Sequence, residues 1–294
     1  NIIRRCRLRA RVTIMGDDSG RERGAQEYSK VPWRLVRSGP ADGATNMAVD
    51  EAILRAVAQG LVPPTLRLYA WEPPSLSLGR AQPVADADRA ALAEAGLGLV
   101  RRPTGGRAIL HIDELTYSVV APEDDPRIAG GIIESYRRLS AALAHALTAL
   151  GVADLAADRR AERRHARAGP VCFELPSDYE ITAGGRKLVG SAQMRALGAV
   201  LQHGALPLCG DITRICRFLS AHPDPERVRA RATNLEQVLG RRVTWDEAAL
   251  ALEASFAEVL NLALRRGDLT AQELAWASEL RAEKYGNEAW TCRQ

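Results

Sequence analysis

The residue of this chain that most invites chemistry is Cys172. It lies in Gly169-Pro170-Val171-Cys172-Phe173-Glu174-Leu175-Pro176-Ser177, bracketed by prolines. Proline fixes φ and removes a donor, so the thiol is expected in a stiff loop rather than inside a regular element. A lysine follows in Gly184-Gly185-Arg186-Lys187-Leu188-Val189-Gly190-Ser191-Ala192-Gln193. An ammonium near a thiol favours the thiolate, and it can hold the carbonyl oxygen of an acyl group under attack. The pair suggests covalent acyl transfer. The plain alternative is that Cys172 is a small buried hydrophobe, the usual role of a free cysteine, and that Lys187 is a solvated strand residue. The small residues Gly185, Gly190 and Ala192 favour a site, because glycine within a strand often marks close approach by a ligand.

Three further segments carry functional groups. In Arg101-Arg102-Pro103-Thr104-Gly105-Gly106-Arg107-Ala108-Ile109-Leu110-His111, paired glycines let the backbone approach a ligand and turn amides toward it. A hairpin turn with surface arginines is the alternative. The spacing fits neither a Walker loop nor a dinucleotide fingerprint. His203, in Gln202-His203-Gly204, is either an acid–base group or a hydrogen-bonded core histidine; His111 has the same two readings. The run Arg159-Arg160-Ala161-Glu162-Arg163-Arg164-His165-Ala166-Arg167 is a solvated loop or a patch that steers an acidic protein toward the thiol.

These groups sit in a chain of 294 residues, long enough for one large core or two modest domains. The net charge of +4 is mild and arginine carries most of the positive charge. Nucleic acid is not expected as a partner. No apolar run reaches membrane-spanning length, so a soluble protein is expected. The five cysteines, Cys6, Cys172, Cys209, Cys216 and Cys292, form no CxxC pair and no zinc spacing. No metal is expected, and reduced thiols in a cytoplasm are. Residues 1–30 differ from the rest, being Arg-rich and then polar without periodicity. They read as a disordered or upstream-translated extension with Met15 as the natural start, or as a basic transit peptide.

The elements that must position the site follow from periodicity. Trp33 to Val36 predicts a strand, and Asn46 to Gln59 a helix with Met47, Ile53, Leu54 and Val57 on one stripe. Thr65 to Trp71 alternates as a half-buried strand. Ser75 to Leu78 is a strand, Asp88 to Ala95 a short helix, and Leu97 to Arg102, Ala108 to His111 and Glu114 to Val120 are strands. Gly130 to Leu150 is a helix with Ile133, Tyr136, Leu139, Leu143 and Leu147 on one face. Asp178 to Thr182 and Arg186 to Met194 form a hairpin that sets Lys187 opposite Ile181, and Val200 to Leu208 continues the sheet. Cys172 and Lys187 then meet only if the cysteine loop folds back over the sheet. Beyond Pro223, Asn234 to Leu239, Trp245 to Leu264 and Thr270 to Lys284 read as helices, with a capping box at Thr244. The expectation is an α/β sandwich around a mixed sheet, with a catalytic domain over residues 31–222 and a helical C-terminal extension over 223–294 packed on it.

Together these segments resemble the lipoate/biotin protein ligase and octanoyltransferase superfamily over roughly residues 31–290. The stretches that carry the likeness are Asn46-Met47-Ala48-Val49-Asp50-Glu51, the Arg101–His111 loop, the Lys187 strand, and Lys284-Tyr285-Gly286-Asn287 with Trp290. Within that superfamily, Cys172 to Glu180 is similar to the cysteine loop of LipM-type octanoyltransferases. The resemblance implies the ligase-like catalytic fold and a ping-pong N-octanoyl transfer in lipoate biosynthesis. Octanoyl would pass from acyl carrier protein to Cys172 as a thioester, then to a lysine of a lipoyl-accepting protein such as the glycine-cleavage H protein. Lys187 would hold the acyl carbonyl. Arg102, Gly105, Gly106, Arg107, His111, Gly190, Ser191, Ala192, Gln193 and His203 would bind substrate. No cofactor is implied, and a cytoplasmic monomer is expected. Two rivals remain: an ATP-dependent lipoate–protein ligase, disfavoured by Arg107 where a third glycine is expected, and a non-catalytic carrier-protein-binding module.

Overall fold

A computed structural model describes residues 28–158 and 180–293. The first strand, β1 (Val31–Arg37), leads to helix α1 (Gly43–Ala58), which starts earlier than its apolar stripe suggests because the Asp42 side chain accepts from the Thr45 amide. Strands β2 (Thr65–Tyr69) and β3 (Ser75–Leu78) follow, then α2 (Arg89–Glu94), β4 (Gly98–Arg101), β5 (Ile109–His111) and β6 (Glu114–Pro122). Helix α3 (Ile132–Ala149) buries Leu139, Leu143 and Leu147 as expected, but Ile133 at its first turn is exposed. Strands β7 (Leu155–Asp158), β8 (Glu180–Ala183), β9 (Arg186–Ala196) and β10 (Ala199–Pro207) form a run of antiparallel neighbours.

After β10 come α4 (Pro225–Arg229), α5 (Leu235–Leu239) and α6 (Trp245–Val259). The expected helix to Leu264 ends early: Asn261 takes φ 49°, and β11 (Leu262–Arg266) runs parallel beside β1. Asparagine tolerates that left-handed conformation, which stops the helix. Only half of the expected box at Thr244 forms. Thr244 accepts from the Glu247 amide, while the Glu247 carboxylate turns to Arg241 at 2.8 Å. Helices α7 (Ala271–Leu280) and α8 (Glu288–Thr291) follow, with a wider turn over Arg281–Tyr285 between them.

Among the described residues, the strands make an eight-stranded sheet in the order β11-β1-β2-β6-β10-β9-β8-β7 and a three-stranded sheet in the order β4-β3-β5. Helices α3 and α6 cover one face of the large sheet, packing Leu139, Leu143 and Phe256 onto Leu66, Leu68 and Tyr117. On the other face, α1 joins Tyr69, Val120 and Leu201 with Ala277 and Leu280 of α7. Strand β2 is therefore buried along its whole length rather than half-buried.

The β8–β9 hairpin turns at Gly184 and Gly185, with φ 55° and 72°, a conformation that glycine adopts without strain. Lys187 pairs with Thr182, not Ile181, because a bulge between Ile181 and Thr182 shifts the register. Tyr28 to Lys30, read as part of the N-terminal extension, are already attached. The Tyr28 carbonyl accepts from Asn261 at 2.7 Å and its ring lies 4.9 Å from the Arg127 guanidinium. The rest of that extension, the 159–167 charge run and Cys172 lie outside the described residues. No helix among the described residues is long and apolar enough to cross a membrane.

Candidate active site

Between the two sheets lies a narrow slot, a cavity of about 20 Å³. The large sheet lends Gly190 and Ala192 of β9, His203, Gly204 and Ala205 of β10, Tyr69 and Thr116; the small sheet lends Ser77, Ile109 and His111. Met47 of α1, Trp71 and Arg102 complete the walls. Gly190 and Ala192 lie opposite Ala205 and His203 across the ladder, so small side chains leave the space that the slot occupies.

One wall is a buried polar chain. Trp71 stacks on His111 with ring centroids 3.8 Å apart and planes 9° from parallel. Its Nε1 donates to Thr116 Oγ1 at 2.8 Å, and Thr116 donates to Glu114. Glu114 also faces His111 Nδ1 at 2.7 Å. An ionised carboxylate only accepts, so Nδ1 carries the proton. His111 Nε2 lies 2.8 Å from Ser77 Oγ, which accepts from Arg102 Nη1 at 3.0 Å. In the neutral imidazole, the Ser77 hydroxyl donates to Nε2.

Arg102 braces the turn that follows it. Its guanidinium donates to the Gly105 carbonyl at 2.8 Å and to the Arg107 carbonyl at 2.7 Å. The turn presses against the end of β3 so closely that a Cβ on Gly79 would fall 2.0 Å from the Gly106 carbonyl oxygen. Gly106 itself takes φ 95°. From below, Arg101 is fully buried and donates to the Thr291 carbonyl at 2.8 Å, while Trp290 Nε1 returns a bond to the Arg101 carbonyl at 2.8 Å. The C-terminal Lys284–Trp290 segment is thus clamped to the strand that delivers the turn.

A second buried cluster centres on Asp50 of α1. Its Oδ1 accepts from Arg67 Nη1 at 2.7 Å and Ser118 Oγ at 2.9 Å; its Oδ2 accepts from Tyr69 at 2.9 Å and faces His203 Nδ1 at 3.1 Å. Burial pushes the carboxyl up, but Arg67 and His203 outweigh it and hold Asp50 below its ordinary range. Burial lowers the His203 pKa despite the opposing pull of Asp50. Burial and the Asp50 charge hold Tyr69 well above the usual phenol range. His203 Nε2 sits 2.7 Å from Thr104 Oγ1.

Of the residues picked out in the sequence, Arg102, His111, Gly190, Ala192 and His203 come together at the slot. Gly105, Gly106 and Arg107 build the adjoining turn. The Gly105 carbonyl there is turned onto Arg102, where amides aimed at a ligand were expected. Ser191 and Gln193 point to the opposite face of the sheet: Ser191 meets Tyr117 at 2.7 Å and Gln193 donates to Ser135 of α3 at 3.0 Å. Lys187 lies three residues before Gly190 on β9, 4% exposed, its amide bonded to the Arg231 carbonyl at 2.7 Å. Cys172 lies outside the described residues. However, the ends of that stretch, Asp158 and Glu180, pair with each other, next to the pair Ala157–Ile181. Asp50, Thr104, Trp71, Ser77 and Glu114 were missed as site residues. Asp50 had left a signal, a carboxylate on the apolar stripe between Met47 and Ile53.

Residues 42–257 match the family model of the lipoyl protein ligase A/B catalytic domain. An octanoyltransferase LipM of Moorella thermoacetica is 47% identical over 269 residues, covering 89% of this chain and 98% of that protein. This chain belongs to the LipM octanoyltransferase family. A LipM octanoyltransferase of Symbiobacterium thermophilum is 43% identical, with 89% and 98% covered. Among solved structures, this LipM-family chain superposes on a lipoate-protein ligase A bound with ATP at a TM-score of 0.75 and 28% identity, covering 89% of this chain and 98% of that one. It also superposes on a bi-partite lipoate protein ligase from Thermoplasma acidophilum at 0.72 and 26%, covering 90% and 97%. The mixed α/β fold of this LipM-family acyltransferase is therefore the one that lipoate ligases use.

Proposed function

We propose that this acyltransferase moves octanoyl from acyl carrier protein to a lysine of a lipoyl-accepting protein, such as the glycine-cleavage H protein, through a thioester on Cys172. The observation that carries the reading is the likeness to LipM octanoyltransferases along nine-tenths of the chain. The Cys172 thiolate attacks the donor carbonyl carbon. A tetrahedral oxyanion forms, the carbon–sulfur bond to the carrier breaks, and the carrier thiol leaves with a proton. The acceptor amine then attacks the Cys172 thioester, the amide forms, the Cys172 sulfur leaves as thiolate, and the amine nitrogen loses a proton. A thioester is already activated, so neither ATP nor a cofactor is required.

Lys187 supplies positive charge at the oxyanion, where exclusion of water strengthens it. We place the acyl chain between Met47, Trp71 and Ile109, where the slot must widen beyond its present room for about one water to receive it, and Arg102 keeps the turn beside it in shape. We assign the activity to a cytoplasmic monomer. Intact-protein mass spectrometry after mixing with octanoyl-acyl carrier protein tests the reading. Covalent catalysis predicts an adduct of about 126 Da that is absent in Cys172→Ser. No adduct on the wild-type protein would overturn it. The likeness to an ATP-bound lipoate ligase favours a second reading, an adenylating ligase. In that case the protein is inert with the carrier thioester and acts only with ATP and free acid.

A further inference from the structure

We propose that Asp50 and His203 form a positioning relay that acts through the Thr104 hydroxyl to fix the turn following Arg102 at the slot. The turn is exposed at Gly105 and Gly106, yet Thr104 within it is fully buried. Arg102 braces the turn from inside, and the Arg80 amide holds the Thr104 carbonyl at 2.8 Å. Both contacts come from the small-sheet side. The Thr104 side chain reaches the other way, to His203 on β10, and so ties the turn to the large sheet across the slot.

The direction of every bond in the relay follows from its anchor. Asp50 is fully buried and its two oxygens meet four partners, Arg67, Ser118, Tyr69 and His203. An ionised carboxylate cannot donate, so His203 Nδ1 must carry a proton toward it. In the neutral ring, Nε2 is left as an acceptor, and the Thr104 hydroxyl must donate to it. The rotor of Thr104 is set, and with it the face that Thr104 turns to the loop backbone. Both nitrogens of His203 are spent on neighbours although the ring also lines the slot. The histidine is therefore a wall and a tether, not a free acid or base. The charged and titratable groups around it are Asp50 on α1, Arg67 and Tyr69 on β2, Arg102 at the turn, and His111 on β5.

The kinetic arm of the test rests on the octanoyl-transfer reading; the exchange arm does not. Thr104→Val keeps the shape and deletes the hydroxyl. Misplacing groups that hold substrate lowers rates steeply, so kcat/KM should drop about 10- to 100-fold, mainly in kcat. Thr104→Ser, which restores the hydroxyl, should recover most of that loss. His203→Gln places an amide near Nε2 and should retain more activity than His203→Asn, which keeps only the Asp50 side. The double variant T104V/H203N should be no worse than the poorer single, because both break one contact. Hydrogen exchange at the Arg80 amide, which bonds the Thr104 carbonyl, should quicken in T104V and not in T104S. Equal impairment of T104V and T104S, multiplicative losses in the double variant, or unchanged exchange at Arg80 would each overturn the relay. If T104V fails to fold, the contrast between His203→Gln and His203→Asn decides in the same way. A wild-type protein that transfers no octanoyl would sink the transferase reading, and the exchange arm would still judge the relay.

Discussion

Lys187 and His203 show how burial decides what an ionisable side chain can do. Lys187 is 4% exposed, and a protonated amine held that far from water would act strongly on an anion brought to it. If it lowers the Cys172 thiol pKa, iodoacetamide should alkylate Cys172 quickly near neutrality and several-fold more slowly in Lys187→Ala. Equal rates would remove Lys187 from the mechanism. His203 is shifted below its ordinary 6.5 by burial. The unfolded chain then binds a proton that the folded chain refuses as pH falls below that value. Stability contributed by the neutral ring is present above pH 6.5 and is lost through the window down to the folded pKa. Thermal unfolding followed from pH 7 to 5 should slope downward in the wild type and run flatter in His203→Gln. Asp50 acts in a separate, lower window: held below its ordinary 3.8, it withdraws stability as pH falls through its own folded pKa.

Strands β9 and β10 form the floor of the slot, and their geometry leaves no room for error at Gly204. A Cβ there would lie 2.6 Å from both the Gly190 carbonyl oxygen and the Tyr117 ring. Gly204→Ala should cost about 1–3 kcal/mol through overpacking, read as a lower denaturant midpoint. Helix α1 is equally committed through Asp50. Asp50→Asn leaves the buried Arg67 without its counter-charge and should destabilise by about 3–5 kcal/mol. Much of this was legible beforehand. The glycines of the β8–β9 turn, the apolar stripe of α1 and the small residues of β9 each left a local mark in the sequence. Arg67 did not. It alternates with Leu66 and Leu68 as a solvent-facing residue would, and only the helix lying across that face buries it. Ser191 and Gln193 were misplaced for the same reason. A sequence motif has no faces until the strand's neighbours are known.

Across the molecule, the C-terminal quarter, expected as a helical extension packed on the domain, also supplies a strand to the large sheet. Strand β11 completes one edge, and Glu273 at the start of α7 is fully buried against Arg34 of β1, with Oε2 2.8 Å from Arg34 Nη1. Burial pushes the Glu273 carboxyl up, but Arg34 and Thr270 outweigh it, so the pair stays ionised. Glu273→Gln should therefore lower stability by about 3–5 kcal/mol and loosen β11 together with β1. Hydrogen exchange at both strands would show it; protection retained there would argue that the edge stands without the pair. The sequence hid this arrangement because Leu262 to Arg266 extends the residue pattern of the preceding helix, and because a strand partner more than two hundred positions away leaves no local trace.

The parallel pairing of β1 with β11 also sets the order of events at the ribosome. Strand β1 keeps an open row of amides and carbonyls on one side until residue 266 has left the exit tunnel. Nascent chains halted before that point should cling to chaperones or to one another, and those released after it should not.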